Sequence, residues 1–145
     1  MIVRPYEVGD ELKITLQSSQ KYMNDYEFYS AEVLELSKQG LAWTGEQDGK
    51  ILAISGVIPI WEGRASAWAF ISEDAGEHMY HVHKAVRSFL RKSYFTRIEA
   101  TVDLEFAEGV RWMKMLGFEL EGYMKAYKPD GSDALLFARV RHVGN

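Results

Sequence analysis

Three neighbouring histidines could bind a metal or transfer protons, because imidazole does both near neutral pH. His78, His81 and His83 lie together in a segment whose apolar pattern predicts a helix. On a helix, His78 and His81 share one flank, whereas His83 points about 160° away from His81. The chain has no cysteine to complete a ligand set. The spacing therefore predicts no metal site, and two imidazoles beside an anion are the better interpretation.

A group of carboxylates precedes these histidines in Ser72–Glu77, whose sequence is Ser-Glu-Asp-Ala-Gly-Glu. Asp74 and Glu77 have the spacing of a capping box, in which side chains satisfy the free amides at the start of a helix. Three acids there would also repel an anion, by about 1 kcal/mol per pair of charges 4 Å apart in water. One interpretation of the segment is therefore an ordinary helix start capped by Asp74.

Positive charge follows on the same predicted helix and just beyond it. The five cations are Lys84, Arg87, Arg91, Lys92 and Arg97. Such a face could bind nucleic acid, although we expect it to be an ordinary solvent-exposed helix face. The formal net charge of −4 gives no overall reason to bind nucleic acid, which we expect not to be a partner.

Composition limits the class of protein. The chain of 145 residues is 47% hydrophobic and 26% charged, which is ordinary for a soluble globular domain. It contains no run near the roughly 18 apolar residues of a membrane span, and the N-terminus does not resemble a signal peptide. Without cysteine there is no disulfide and no cysteine nucleophile. We expect one domain over residues 1–145, in the cytoplasm and without a membrane partner.

Apolar periodicity and turn residues predict the elements that would position these groups. The pattern predicts a short strand from Ile2 to Tyr6, then a helix capped by Asp10 with Leu12, Leu16, Ser19 and Met23 on one face. A second helix, from about Phe28 to Lys38 with Ala31, Val33 and Leu34 inward, ends at Gly40. Asp48-Gly49 predicts a two-residue hairpin between strands 41–47 and 50–58.

The second half alternates strands with helices. Ala65–Ser72 is apolar enough for a central strand, and a helix is predicted from about Ala75 to Ser93. A strand at Ile98–Val102, a helix from about Leu104 to Leu116, and strands Phe118–Tyr127 and Ala134–Val140 follow. The predicted order is β-α-α-β-β-β-α-β-α-β-β. This is an α/β class with a mixed, mostly antiparallel sheet.

This order resembles the GNAT superfamily of N-acetyltransferases, and the similarity runs from Ile2 to Val140. The residues that carry it are the strand Arg97–Val102, the helix from Phe106 to Met113, and Leu116-Gly117-Phe118. The hairpin of sequence WTGEQDGKILAISGV is similar to the second and third strands of the family. A narrower resemblance, around Trp68, Lys84–Lys92 and Trp112-Met113-Lys114, is to the small GNAT-like internal virion proteins of T7-like phages.

The resemblance implies a site for the pyrophosphate of acetyl-CoA where the fourth strand meets the following helix. It places cofactor contacts at the backbone of Phe70, Ile71 and Ser72, at the amides of Gly76, Glu77, His78, Met79 and Tyr80, and at the edge of Phe106. Free helix amides and the helix dipole attract anions, and a glycine lets a phosphate approach. Of the glycines usual in this loop, the chain keeps Gly76 alone, and it has no basic residue there. A reshaped cofactor loop is thus the alternative to a self-capped helix.

The family's general acid, a tyrosine four residues before the glycine of Gly-Phe, corresponds here to Met113, which has no proton to give. The asparagine that often holds the pantetheine arm corresponds to Phe106. Glu73 is the nearest candidate general base, although a solvated cap residue is the plainer interpretation. Tyr127 could replace the acid, although packing between strands is the plainer role for it.

The resemblance also implies that the region of the first two helices walls the acceptor pocket. The aromatic candidates there, which could equally form a dimer or particle-assembly surface, are Tyr22, Tyr26, Phe28, Tyr29, Trp43 and Trp61. The basic face could meet the 3′-phosphate of CoA. The leading expectation is an acetyl-CoA-dependent N-acyltransferase that acts by direct transfer on a small-molecule or peptide amine. The alternative is a degenerate GNAT-like phage protein with a structural role in the host cytoplasm or the virion.

Overall fold

The computed structural model describes residues 1–16 and 28–141, which form seven strands and three α-helices. None of these helices is long and apolar enough to cross a membrane. Short 3-10 turns at Asp10–Leu12 and Glu73–His78 complete the described elements. The bounds are β1 Ile2–Arg4, α1 Ser30–Lys38, β2 Ala42–Gln47, β3 Lys50–Trp61, β4 Arg64–Ile71, α2 Met79–Lys92, β5 Arg97–Asp103, α3 Ala107–Met115, β6 Glu119–Met124 and β7 Ala134–Val140.

The strands form a mixed sheet in the order β1-β2-β3-β4-β5-β7-β6. β4 and β5 are parallel, with register pairs from Arg64–Arg97 to Ser66–Glu99. The pairs β1–β2, β2–β3, β5–β7 and β7–β6 are antiparallel. The predicted α/β class and mostly antiparallel sheet are therefore confirmed.

The chain divides into two compact units. The first unit comprises Met1–Ile58 and Trp68–Ser93, and the second unit comprises Pro59–Ala67 and Tyr94–Asn145. The single domain expected over residues 1–145 stays a prediction.

A core cluster of Tyr6, Val33, Ala42, Ile51 and Ile54 stabilises the first unit. Aromatic side chains extend this cluster, because Phe28 lies 5.9 Å from Tyr6 and 5.3 Å from Phe70 between ring centroids. Trp68 adds an edge-to-face contact with Phe70 at 5.8 Å. Such tilted ring pairs contribute beyond their buried area.

Asp48 and Gly49 join β2 to β3 as predicted. Both have positive φ, 53° and 80°, which is the conformation of a type I′ turn. This turn matches the right-handed twist of the strands and so fixes their register, from Gln47–Lys50 onward.

Buried residues of β5, β7 and the end of α3 form the core of the second unit: Ile98, Ala100, Val102, Leu116, Phe118, Ala134, Phe137 and Ala138. α3 ends in a Schellman motif, in which Phe118 N–H donates to Met113 O and Gly117 N–H donates to Lys114 O. Gly117 has φ 90°, which a residue with a Cβ rarely adopts. Leu116-Gly117-Phe118 thus ends the helix and begins the next strand.

The prediction that Asp10 caps a helix with Leu12 and Leu16 on its inner face is wrong. Asp10 is buried, and its carboxylate accepts hydrogen bonds from Arg4, from Glu7 N–H and from Thr44 Oγ1. Leu12 is 85% exposed in the 3-10 turn, whereas Leu16 forms a β-bridge with Ser72. Ser19 and Met23 lie outside the described residues.

One helix face and one helix boundary also differ from prediction. Ala31 on α1 is exposed, whereas Val33 is buried. α3 begins at Ala107 rather than near Leu104, because Asp103 accepts bonds from Glu105 N–H through its side chain and from Phe106 N–H through its carbonyl. These bonds form a turn that delays the helix.

Candidate functional site

The segment after β4 is organised by Ser72 rather than by Asp74. Ser72 is buried, and its Oγ accepts a hydrogen bond from Asp74 N–H at 3.0 Å, so it caps the 3-10 turn Glu73–His78. Its own amide donates to Leu52 O at 2.9 Å. The predicted capping by Asp74 is wrong, because the serine two residues earlier already occupies that position.

Gly76 separates this turn from the start of α2. Its φ of 4° and ψ of −100° are not helical, and α2 begins at Met79 with no side-chain hydrogen bond at its N-cap, His78. A Cβ added at Gly76 would have no atom within 4 Å, so open space lies beside the glycine. α2, a helix of 14 residues, therefore begins without a side-chain hydrogen bond at its N-cap, although Met79 N–H donates to Gly76 O.

The residues predicted to contact the cofactor fall into two groups, one before the 3-10 turn and less exposed, the other after it and more exposed. Phe70 is half-buried in the aromatic cluster, and Ile71 and Ser72 are buried, so these three can offer backbone but little side-chain surface. Exposure rises after the turn, with Gly76 and Glu77 exposed, His78 and Met79 half-buried, and Tyr80 exposed. The structure thus brings Phe70–Tyr80 together as one continuous segment of the first unit.

Charge around this segment is mixed. Glu73, Asp74 and Glu77 are exposed, and Glu77 lies 3.7 Å from His78 Nε2. The rings of His78 and His81 are stacked with centroids 6.3 Å apart. Within residues 1–16 and 28–141, no group of three metal-ligating side chains could hold an ion. Two imidazoles therefore lie beside the open end of α2.

Phe106 and Met113 lie on α3 in the second unit. Phe106 is the N-cap residue, and its ring packs so closely on Gly109 that a Cβ there would lie 2.4 Å from ring atom Cδ2. Met113 is half-buried and takes part in the Schellman motif through its carbonyl. Both positions are apolar, and Met113 is not among the fully buried residues of the core.

The two candidate catalytic residues are both solvent-exposed. Glu73 follows Ser72, and its amide donates to Thr15 O at 2.8 Å. Tyr127 lies beyond the end of β6 and is 56% exposed, so its predicted place in the strand and its cross-strand packing are wrong. The strand ends earlier because Ala126 has φ 52° and its amide donates to Asp133 Oδ1.

The remaining predicted groups are dispersed. Phe28 and Trp43 are core residues, Tyr29 is 59% exposed, Trp61 is 64% exposed, and Tyr22 and Tyr26 lie outside the described residues. Arg97 belongs to β5 and is held by Glu99 and Glu121, so it is not a free cation of the predicted basic face.

Sequence reasoning missed a charged cluster in the second unit. Arg64 donates to both carboxylate oxygens of Glu99, at 2.9 and 3.0 Å, while its guanidinium lies 4.4 Å from the ring centroid of Trp61. These residues line an open cleft of about 400 Å³ with Glu62, Gly63, Thr96 and Arg97. The alternation Arg97-x-Glu99 on one strand face was a usable signal, because residues two apart share a face.

Comparison with known proteins gives structural matches only. No family model matches the sequence, and the curated proteins give no match either. Ard1 from Thermoplasma volcanium is similar with TM-score 0.75, 15% identity and 97% of each chain covered. A GNAT-family acetyltransferase from Bacillus anthracis has TM-score 0.69 and 18% identity, covering 95% of this chain and 93% of that one.

A third similar structure is spermidine N-acetyltransferase SpeG from Vibrio cholerae, with TM-score 0.68 and 15% identity over 97% of this chain and 95% of that one. These three similarities extend over nearly the whole chain. The chain has the GNAT fold. At identities this low the similarity establishes architecture, and a fold hosts many functions.

Proposed function

We propose that the protein is an acyl-CoA-dependent N-acyltransferase, with acetyl-CoA as its donor, that transfers the acyl group directly to an amine. The observation that carries the proposal is the segment that leads into α2, where the N-cap His78 makes no side-chain hydrogen bond and space is free beside Gly76. In a GNAT fold this is where the donor's pyrophosphate would meet backbone amides.

The backbone at the start of α2 suits the binding of a diphosphate. The positive end of the α2 dipole favours an anion, and the space beside Gly76 lets one approach. His78 and His81 place two imidazole rings, with centroids 6.3 Å apart, at the start of α2. Glu73, Asp74 and Glu77 oppose binding, but their side chains are exposed and their charges are therefore screened by solvent.

Direct transfer requires no protein nucleophile. When bound, acetyl-CoA would supply an activated thioester, whose acyl group would pass to the neutral amine as the C–S bond breaks and the sulfur leaves as a thiolate. The amine proton passes to a base and a proton reaches the thiolate from an acid or from water. The absence of cysteine agrees with this route over a thiol acyl-enzyme.

Glu73 is proposed as the base and Tyr127 as the acid. Both are exposed and can exchange protons with solvent. A positioned acid or base contributes about 10²–10⁴-fold to a rate. The methionine at position 113, where the family usually has a tyrosine, would therefore slow the reaction without preventing it. A thiol of ordinary pKa near 8.5 is an adequate leaving group near neutral pH.

A thermal-shift titration with acetyl-CoA tests donor binding. Ligand at about 100 times its dissociation constant stabilises a protein by ~2.7 kcal/mol, or several degrees for a domain of this size. Gly76→Ala places a methyl group in the open space without striking the protein, and we expect it to abolish the shift. Gly122→Ala is the matched control, because its Cβ would meet Leu136 Cβ at an ordinary 4.0 Å.

Two outcomes would refute donor binding by this segment: no thermal shift at millimolar acetyl-CoA, or equal shifts in Gly76→Ala and the wild type. Acyl transfer is then measured by release of free CoA thiol with a panel of amines and N-terminal peptides. The thiol assay is suitable because the chain contributes no cysteine.

A non-catalytic GNAT-fold protein with an interaction role is the second candidate. Phe106 on Gly109 and the half-buried Met113 favour it, because both are apolar where this fold usually carries polar groups. Absence of both donor binding and thiol release would favour this candidate. Donor binding without thiol release across the amine panel would indicate a binding protein.

A further inference from the structure

The exposed face of α2 carries a row of cations, Lys84, Arg87 and Arg91, here termed the α2 basic stripe. Their spacing of three and four residues projects all three from one side of the helix. Val82, Val86 and Leu90 are buried on the other side. The stripe therefore faces solvent along roughly 10 Å of the helix axis.

Two cations of the α2 basic stripe, Lys84 and Arg87, are short of negative partners. α2 itself contains no Asp or Glu. Lys84 and Arg87 form no ion pair with any residue in the described part of the chain. Arg4, Arg64 and Arg97, in contrast, each bind a carboxylate within 3.0 Å.

Folding energetics explain only part of this pattern. Basic residues in the last turn of a helix interact favourably with the helix dipole, which accounts for Arg91 and Lys92. Lys84 and Arg87 lie in the middle of α2, where that effect has faded. Tyr80 continues the same face one turn earlier, is 65% exposed, and has Lys84 Nζ 5.4 Å from its ring centroid.

Charge complementarity indicates which anion this stripe suits. Double-stranded nucleic acid carries one charge per ~1.7 Å and would extend well beyond three cations. The protein as a whole, with a formal net charge of −4, would repel it. A short acidic peptide segment can place a few carboxylates opposite Lys84, Arg87 and Arg91 and end there.

We propose that the α2 basic stripe docks a short acidic segment of a partner protein. Opposite charges at an exposed surface mainly speed association and fix orientation, so docking is weak and sensitive to salt. The proposal does not depend on acyltransferase activity, because the stripe lies outside the open start of α2.

The probe is a fluorescent alanine-based peptide of 15 residues with four glutamates at intervals of four, three and four. Its binding is followed by anisotropy at ionic strengths of about 10 and 150 mM, where the screening length falls from ~30 to ~8 Å. We expect affinity to weaken at least tenfold over that range. Amide NMR shifts should change at Tyr80, Lys84, Arg87 and Arg91.

The decisive variant is Lys84→Glu with Arg87→Glu, which changes the net charge by the same amount as the control Lys13→Glu with Lys50→Glu. Both control lysines are exposed and distant from α2 in sequence. The stripe variant should bind at least tenfold more weakly at 10 mM, and the control should stay within threefold of the wild type. The pair Lys84→Gln with Arg87→Gln should show an intermediate loss if the charge reversal impairs folding.

Three results would overturn the proposal. One is no binding of the peptide at 10 mM ionic strength. Another is an equal loss in the stripe and control variants, which would indicate a response to net charge alone. The third is tighter binding of a single-stranded oligonucleotide of equal charge, which would assign the stripe to nucleic acid.

Discussion

Arg97 on β5 binds Glu121 on β6 through two parallel hydrogen bonds, Nη1 to Oε2 at 3.0 Å and Nη2 to Oε1 at 2.6 Å. Strand β7 lies between β5 and β6 in the sheet, so the pair bridges it. The register passes from Leu120–Phe137 to Gly122–Leu136 and leaves Glu121 as the extra residue of a bulge. Bulges redirect side chains, which explains how Glu121 reaches Arg97.

Glu99 is the centre of this charged cluster, and Glu99→Gln should destabilise the protein. Hydrogen bonds from Arg64 and from Arg97 outweigh burial and hold the pKa of Glu99 below its usual range. Hydrogen bonds to charged groups contribute about 1.5–3 kcal/mol, and some solvent exposure reduces this, so we expect a loss of ~1–2 kcal/mol. Urea unfolding measures it.

The control for this prediction is Glu121→Gln. Its side chain is 39% exposed, so the loss of stability should be smaller than that of Glu99→Gln and should shrink further in high salt. Equal losses in the two variants would contradict the central place assigned to Glu99.

Asp10 should make the stability of the protein depend on pH in the acid range. Burial alone would raise the pKa of Asp10, but hydrogen bonds from Arg4, Glu7 N–H and Thr44 outweigh it and lower the pKa. The folded state therefore binds this proton less readily than the unfolded state. The stabilisation is complete above the unfolded pKa, near 3.9, and is lost as pH falls through the lower folded value.

Asp10→Asn tests this dependence by urea unfolding between pH 3 and 7. The substitution removes the buried charge partner of Arg4, so we expect the free energy of unfolding to fall by about 2–4 kcal/mol at pH 7. When the pH is lowered, the variant should lose less additional stability than the wild type loses. Asp74→Asn is the matched control, because the Asp74 carboxylate is exposed. An acid dependence unchanged in Asp10→Asn would refute the assignment.

Local chemistry explains which elements could be predicted from sequence. The Asp48-Gly49 turn and the Gly117 helix end depend on residues that tolerate positive φ, so a few neighbours determine them. From α1 onward, the order of helices and strands along the chain followed from apolar periodicity and turn residues, and β7 at Ala134–Val140 matches its predicted bounds.

Distant partners explain the wrong predictions. Asp10 has the residue type of a helix cap, but Arg4 and Thr44 hold its carboxylate, and Thr44 lies 34 residues away. Tyr127 follows an apolar alternation, but Asp133 binds Ala126 N–H and ends the strand first. Ser72 and Asp74 are both residue types that cap helices, and in the structure Ser72 caps the turn by accepting a hydrogen bond from Asp74 N–H.

Tyr127→Phe tests the proposed acid. If Tyr127 protonates the departing thiolate, the variant should lower kcat by about 10²-fold or more with little change in donor KM, because the lost interaction forms only in the transition state. The measurement is release of CoA thiol across pH 6–9. Tyr94→Phe is the control, since Tyr94 is also exposed, at 71% against 56% for Tyr127, and has no proposed role. Equal kcat values in the wild type and Tyr127→Phe would remove Tyr127 from the mechanism.

Phe106 and Gly109 should show strong energetic coupling. A Cβ at Gly109 would lie 2.4 Å from Phe106 Cδ2 and 3.0 Å from Val102 Cγ1, so Gly109→Ala must displace the ring. Overpacking of this kind costs about 1–3 kcal/mol, although alanine is the better helix former by ~1 kcal/mol. We expect a net loss of stability in urea unfolding.

Phe106→Leu removes the ring atoms that Gly109→Ala would strike. In that background the same alanine substitution should be neutral or stabilising by up to ~1 kcal/mol, which gives a coupling of about 1 kcal/mol or more. Gly122→Ala serves as the control, because no coupling to Phe106 is expected at a glycine whose Cβ would meet Leu136 at 4.0 Å. Additive effects of Phe106→Leu and Gly109→Ala on the free energy of unfolding would mean that the Phe106 ring does not restrict the residue at position 109.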